Sequence, residues 1–379
     1  MKKCILIPDS FKGNIPAAEV CAIMQRAVQM HFPQAEICAV PAADGGEGTV
    51  DAFLQALGGQ KVSLSVKGPF FEELPAFYGI LPDRTAVIEM AAAAGLPQTG
   101  NRKCVEQATT FGVGQMLQHA IAQGCRKIIL TLGGSATNDG GCGAAAAMGA
   151  VFQKADGTPF VPVGETLGQI AKIDLSALHK KTEGVQICAM CDVTNPLCGK
   201  NGAAAVFAPQ KGANAEVVGL LDRGLHHLAE VLQRDCKVDI LSLPGAGAAG
   251  GMGGGMVAFF GSPLQSGIET FLDTIRFDEL LHGTDLVFTG EGKLDSQSLG
   301  GKVISGVARR TKRAGIPLIA VVGDIEGTTA QAYDAGVSAV FSINRTAVPF
   351  RLAKQRSRAD LFLTMDNLMR FLKRFAPQF

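Results

Sequence analysis

Residues 127–141 read KIILTLGGSATNDGG, and an alanine-rich stretch carries on to about Met148. The opening six residues, apolar apart from Lys127 and Thr131, are a run of strand length. The polar, glycine-bearing loop follows at once, and the alanines favour a helix after it. A strand that empties into such a loop and then a helix is the repeating unit of α/β folds. The same form occurs at four other places: PDSFK (8–12), ADGGEGT (43–49), CDVTNP (191–196) and TGEGKLDSQS (289–298). Ligands of open α/β sheets bind beyond the C-terminal ends of the strands. A helix starting there presents free N–H groups to an anion, and glycines let successive amides wrap it.

Working outward, residues 4–8 and 36–40 read as strands, and 16–30 reads as a helix that Pro33 prevents from continuing. A further helix runs to Leu57, where Gly58-Gly59 stops it. Residues 61–67, 76–81 and 86–89 then give three closely spaced strands with little helix between them, the pattern of a mixed sheet. Helices are expected over 106–123 and 216–232, and a strand over 185–190. From 285 onward the βα rhythm of the first sixty residues returns, with strands at 285–288, 317–322 and 339–342 and helices at 303–314 and 328–335. The last helix is placed near 360–375. The expectation is an α/β protein of two domains. One is discontinuous, from 1–60 plus 283–379, with a parallel sheet. The other, 61–282, is an inserted α/β domain with a mixed sheet, and the active-site cleft is expected between them; a sequential two-domain division is the alternative.

Composition limits the function. Glycine supplies 47 of 379 residues, against a usual share of about 7%, yet no Gly-X-Y period runs through the chain. With 47% hydrophobic and 18% charged residues the excess does not signal disorder; it fits tight turns and close backbone approaches. A formal charge of +1 and the absence of tryptophan give no support for a nucleic-acid surface. No stretch is apolar for long enough to span a membrane, and the opening MKKCILIPDS turns polar too soon for a signal peptide. A cytoplasmic protein is expected, its ten cysteines reduced and partly buried. Cys188, Cys191 and Cys198 lack the second ligand pair of a structural zinc site. The glycine run 245–255 reads as a tight loop leading into a helix, either close to the ligand or hinge or merely close-packed.

Standard motifs are missing. There is no GxxxxGK[ST], no GxGxxG after the first strand, no GxSxG and no HExxH. None of the six histidines falls in the five loops. The loops instead carry Asp9, Asp44, Asp139, Asp192, Glu291 and Asp295 as Mg²⁺ ligands or proton acceptors. Lys12, Lys293 and Lys302 are candidates to face a phosphate or a carboxylate, and Ser10, Ser135, Thr137 and Ser296 to donate single hydrogen bonds.

At these loops the chain resembles the bacterial type 1 glycerate kinases, over nearly its whole length. The resemblance is carried by PAADGGEGT (41–49), VIEMAAAAGL (87–96), LGGSATNDGG (132–141), CDVTNPLCG (191–199), NGAAAVFAPQKGA (201–213), PGAGAAGGMG (244–253), SGIE (266–269) and TGEGKLDSQSLGGK (289–302). It implies ATP- and Mg²⁺-dependent phosphorylation of D-glycerate, and two α/β domains with a Rossmann-like part. In the branch serving glycolate, glyoxylate and glucarate breakdown, 2-phosphoglycerate is the product. This chain departs at Gly13-Asn14-Ile15-Pro16, where the family has Glu-Ser-Leu-Ser, and at VVGDIEG (321–327), where Asp324 and Glu326 stand in a commonly AGS-like run.

Transfer to a hydroxyl needs an in-line phosphate, charge compensation and a proton acceptor. The expected base is Asp192, with Thr194 and Asn195 orienting the substrate; Asp44 is the second choice. Lys12 is expected at the transferred phosphate. Glu291, Asp295 and Asp9 are the Mg²⁺ candidates. Gly133, Gly134, Ser135, Thr137 and Asn138 would cradle an anion, either ATP phosphate or the glycerate carboxylate. Gly45, Gly46, Ser10, Gly290, Lys293 and Ser296 complete the binding set. The alternatives are a kinase giving 3-phosphoglycerate or acting on a related hydroxy acid, and a non-catalytic metabolite sensor. Oligomeric state is open.

Overall fold

The computed structural model describes residues 1–295, 302–327 and 329–375. The chain forms two compact units, one from residues 1–44, 55–57 and 266–379, the other from 45–54 and 58–265.

The first unit holds a five-stranded, all-parallel sheet. Its strands lie in the order Ala339–Ser342, Leu318–Val322, Leu286–Gly290, Lys3–Pro8, Glu36–Ala39. From Lys3–Pro8 the chain steps to Glu36–Ala39 on one side, while the three later strands build out on the other. Strand order therefore reverses between Lys3–Pro8 and Leu286–Gly290, the kind of point at which open α/β sheets bind ligands. Cys4, Ile5, Leu6 and Ile7 are fully buried, as the continuous apolar run of a central parallel strand requires. Helix Ala17–His31 follows Pro16 and buries Val20, Met24 and Val28, one residue per turn, in a core shared with Leu361, Met365 and Leu368. Those three belong to the last helix, Phe350–Phe375. It starts ten residues before the sequence pattern suggests, because RLAKQRSRAD (351–360) offers charge rather than an apolar stripe. Pro349 stands just before it and accepts hydrogen bonds from the Leu352 and Ala353 amides.

The second unit carries a six-stranded mixed sheet in the order Leu264–Gln265, Gln186–Met190, Lys127–Thr131, Thr85–Glu89, Glu73–Ile80, Gln60–Lys67. The first four are parallel and the last two antiparallel. The expected α/β class holds: a parallel sheet in a unit made from both ends of the chain, and a mixed sheet in the other. A helix expected over 106–123 is split into a short turn at Val105–Gln107 and the helix Phe111–Ala122. Three very short antiparallel strands, Val151–Gln153, Pro159–Phe160 and Lys172–Asp174, left no periodic signal to read. The ten cysteines are all free thiols. Among the described residues no helix is long and apolar enough to cross a membrane.

Candidate active site

In the first unit the parallel register sets Ile7 against Thr289 and Pro8 against Gly290, while Leu6 pairs with Ala39 on the other side. Three consecutive strand ends thus release the loops 8–12, 289–295 and 40–44 at one end of the sheet. Gly290 is required there: a Cβ on it would lie 2.2 Å from the Val321 carbonyl oxygen. The Asp9 amide donates to the Gly290 carbonyl at 2.8 Å, which ties the first two loops together.

Asp9 is 8% exposed. Burial, and next the neighbouring Asp44 carboxylate, push its carboxyl up to about 6; the Ser10 amide and Lys12 oppose the rise. The Ser10 amide donates to Asp9 Oδ1 at 2.6 Å. Lys12 holds its ammonium 3.7 Å from Asp44 Oδ2. Its affinity for the proton is raised by Asp44 first and less strongly by Asp9 and Glu291, with burial opposing them. Glu291 is buried. Asp9, Lys12, Asp44 and Glu291 therefore form one electrostatic group: an ammonium fixed in its charged form among three carboxylates. Ser10 and Asp295 are half-buried close by in the same loops. Lys293 is exposed and ion-paired with Glu326, because Lys293–Leu294 and Asp324–Ile325 pair as short parallel strands. Ser296 lies outside the described residues. Lys302 stands at the start of helix Val303–Ala314.

In the second unit Thr131 is level with both Glu89 and Met190, so loops 132–141 and 191–196 leave the same end of the mixed sheet. The Gly133 amide donates to the Gly45 carbonyl at 3.3 Å, joining Gly45 and Gly46 to this group. Asp192 and Thr194 are exposed. The Asn195 side chain donates to the Asn201 carbonyl at 2.8 Å.

One expectation is corrected, and the amides at two helix starts are already engaged. Asp139 was a candidate metal ligand or proton acceptor. It is fully buried, and its carboxylate accepts from the Thr110 amide at 2.7 Å, the Thr110 hydroxyl at 2.8 Å, the Gly141 amide at 3.1 Å and the Gly143 amide at 3.2 Å. Burial pushes its carboxyl up, against the pull of these bonds. It is a built-in anion at the start of helix Cys142–Met148. Likewise Glu89 accepts from the Val50 amide at 2.7 Å, at the start of helix Thr49–Leu57. The amides Gly141, Gly143 and Val50 are thus engaged by the protein's own carboxylates.

Sequence reasoning missed Lys211. It is 3% exposed, and its ammonium donates to Ser135 Oγ and to the Thr137 carbonyl, both at 2.8 Å. Burial pushes it down to about 7, with Asp139 pulling the other way. The signal was a lone lysine in the apolar run AAAVFAPQKGA (203–213). The Asn138 amide group and Thr137 Oγ1 are buried in the same loop without a hydrogen-bond partner. Beneath lies the glycine run. The Gly140 amide donates to Gly250 O at 3.1 Å and the Gly247 amide to Asn195 O at 3.0 Å. A Cβ on Gly250 would lie 2.0 Å from the Thr137 carbonyl oxygen, and one on Gly247 2.2 Å from that of Pro196. The run is a close-packed seat for both loops and leads into helix Met252–Phe260.

The family model for the glycerate kinase family matches residues 4–373. The chain is 42% identical to the glycerate 2-kinase of Escherichia coli K12, over 90% of each chain. It is 41% identical to the glycerate kinase of Bacillus cereus, over 97% of each. It is also similar to a crystal structure from Salmonella typhimurium LT2 described as a glycerate kinase 2, with a TM-score of 0.88, 41% identity and 98% of each chain covered. With a family model spanning residues 4–373 and relatives 41% and 42% identical over 90% or more of each chain, the chain belongs to the glycerate kinase family.

Proposed function

We propose that the protein is a kinase that transfers the γ-phosphate of ATP to the 2-hydroxyl of D-glycerate, giving 2-phospho-D-glycerate and ADP. The observation that carries the reading is the 42% identity to a glycerate 2-kinase over 90% of each chain, within a family match over residues 4–373 that takes in all five strand-end loops. A cytoplasmic role in the breakdown of glycolate, glyoxylate or sugar diacids fits that product. The experiment that tests the reaction class is ADP release measured across D-glycerate, lactate, tartronate and erythronate. Release with D-glycerate and not with the others supports the reading; release with none of them contradicts it.

The residues divide the work as follows. Lys12, held charged by Asp44, Asp9 and Glu291, meets the negative charge of the transferred phosphate as a point charge. Asp192 accepts the proton of the attacking hydroxyl, with Thr194 and Asn195 orienting the substrate; Asp44 is the alternative acceptor. Gly133, Gly134, Ser135, Thr137 and Asn138 receive an anion, with Gly45 and Gly46 beside them. Ser10, Gly290, Lys293 and Ser296 complete the phosphate contacts.

Among the described residues no group of three or more His, Cys, Asp and Glu is arranged to hold a metal. Mg²⁺ in phosphoryl-transfer sites takes only one or two carboxylates, with waters and the substrate phosphates filling its octahedron. The hard oxygens of Asp9 and Glu291, both nearly buried, fit that role, with Asp295 as a third candidate. Bound there with the nucleotide, Mg²⁺ would supply charge compensation to the phosphate oxygens. Asp9 would hold the metal as a carboxylate, so its carboxyl, raised to about 6 by burial and Asp44, makes proton and Mg²⁺ competitors there.

A further inference from the structure

Lys211 is not explained by stability. A buried ammonium is costly unless it is paired and bonded, yet among the described residues no carboxylate stands within ion-pair distance of it. The carboxylate that acts on it, Asp139, has its own oxygens taken by Thr110, Gly141 and Gly143. The loop it touches is held from the other side: the Leu96 amide donates to the Gly134 carbonyl and the Ala136 amide to the Ala94 carbonyl. An ammonium can only donate. In the charged form, which a bound anion favours, Lys211 donates to Ser135 Oγ, and the serine's own hydrogen points elsewhere. Two residues on, Thr137 Oγ1 and the Asn138 amide group are buried without a partner. Polar groups left in this way call for an explanation. A positive charge without a contacting counter-ion, a hydroxyl fixed as a donor and unpartnered polar atoms all meet in one short loop.

We propose that Lys211 is a positioning residue that commits the Ser135 hydroxyl to donate outward and lends its positive charge to the 133–138 loop, where an anionic oxygen of a substrate binds. The oxygen belongs either to the glycerate carboxylate or to an ATP phosphate. The inference rests on the kinase reading for its substrates and adds the residue that prepares the loop for them.

The test uses the full-length protein with Lys211→Met, Ser135→Ala and the double variant. KM for D-glycerate and for MgATP is measured alongside kcat and thermal stability. Each single variant is expected to raise the KM of the same one substrate about tenfold or more, the effect of losing a hydrogen bond to a charged group. The double variant is expected to stay within about threefold of Lys211→Met, because the two residues act as one device. A rise in the glycerate KM assigns the carboxylate, and a rise in the ATP KM assigns the phosphate. Effects that multiply, or a loss of stability with both KM values unchanged, overturn the proposal. Should Lys211→Met fail to fold, Ser135→Ala alone decides, and unchanged KM values sink the idea. Calorimetric titration of D-glycerate and of MgATP into wild type and Ser135→Ala keeps the two readings apart. A wild type that binds a ligand but does not turn over defeats the kinase reading. Equal affinity in both proteins defeats the role of Lys211.

Discussion

Lys12 sets its ammonium 3.7 Å from the Asp44 carboxylate, and the two residues follow adjacent parallel strands, Lys3–Pro8 and Glu36–Ala39. The lysine side chain is 69% exposed, so the pair adds little to stability. Its consequence is placement: a cation stands at the end of the sheet, steered by a carboxylate and backed by Asp9 and Glu291. Lys12→Met is expected to lower kcat by about a hundredfold or more, the usual cost of removing a group aimed at transition-state charge. The folding transition should be unchanged. Turnover within twofold of wild type would remove Lys12 from the chemistry.

Asp9 gives a stability prediction whose sign follows from its raised carboxyl. Folding lifts it from 3.8 to about 6, so the folded state binds the proton more tightly than the unfolded state. Its contribution is most favourable below 3.8 and is lost as pH rises through the window to about 6. At neutral pH the protein bears a cost of about 2–3 kcal/mol, from about 1.4 kcal/mol per pH unit. Asp9→Asn keeps the acceptor for the Ser10 amide and removes the charge. Urea unfolding is expected to show it more stable than wild type at pH 7.5, with the advantage shrinking toward pH 4.5. An advantage of equal size at both pH values would contradict the assignment.

Glu326 pairs with Lys293 from a stretch in which the chain departs from the commoner family run. If Lys293 meets a phosphate, Glu326 competes for it. Glu326→Gln is expected to lower the KM for ATP by about twofold to fivefold, the scale of an exposed ion pair, and the difference should fade at high salt. An unchanged KM at low salt would take Lys293 out of the nucleotide contacts.

Asp139 is expected to matter for folding rather than chemistry. Asp139→Ala leaves the Thr110, Gly141 and Gly143 amides buried and unpaired, a loss of about 3–5 kcal/mol. Denaturant unfolding should show that loss, with Asp139→Asn retaining part of the difference. Wild-type stability in Asp139→Ala would mean that other groups satisfy these amides.

The loops were legible because a strand ending in a polar glycine-bearing turn has a one-dimensional signature. KIILTLGGSATNDGG and KCILIPDSFK show where strands stop, and the parallel sheets align those stops. What an acid does there is not written in the loop. Asp139 and Asp9 read alike in sequence, but one faces four donors and the other faces Asp44. Lys211 was invisible because its partners, Ser135 and Thr137, are more than seventy residues away. The early start of helix Phe350–Phe375 was missed because its first turns carry no apolar stripe. The glycine run 245–255 is explained by backbone packing under two loops, which composition alone could not distinguish from ligand contact.

The measurement that tests the central claim most directly is ³¹P NMR of the product formed from ATP and D-glycerate. The account predicts ADP together with a single new phosphomonoester signal split into a doublet by the one proton on the 2-carbon. A triplet, from phosphate on the 3-carbon with its two protons, would contradict the regiochemistry, and no new phosphomonoester signal would contradict the activity itself.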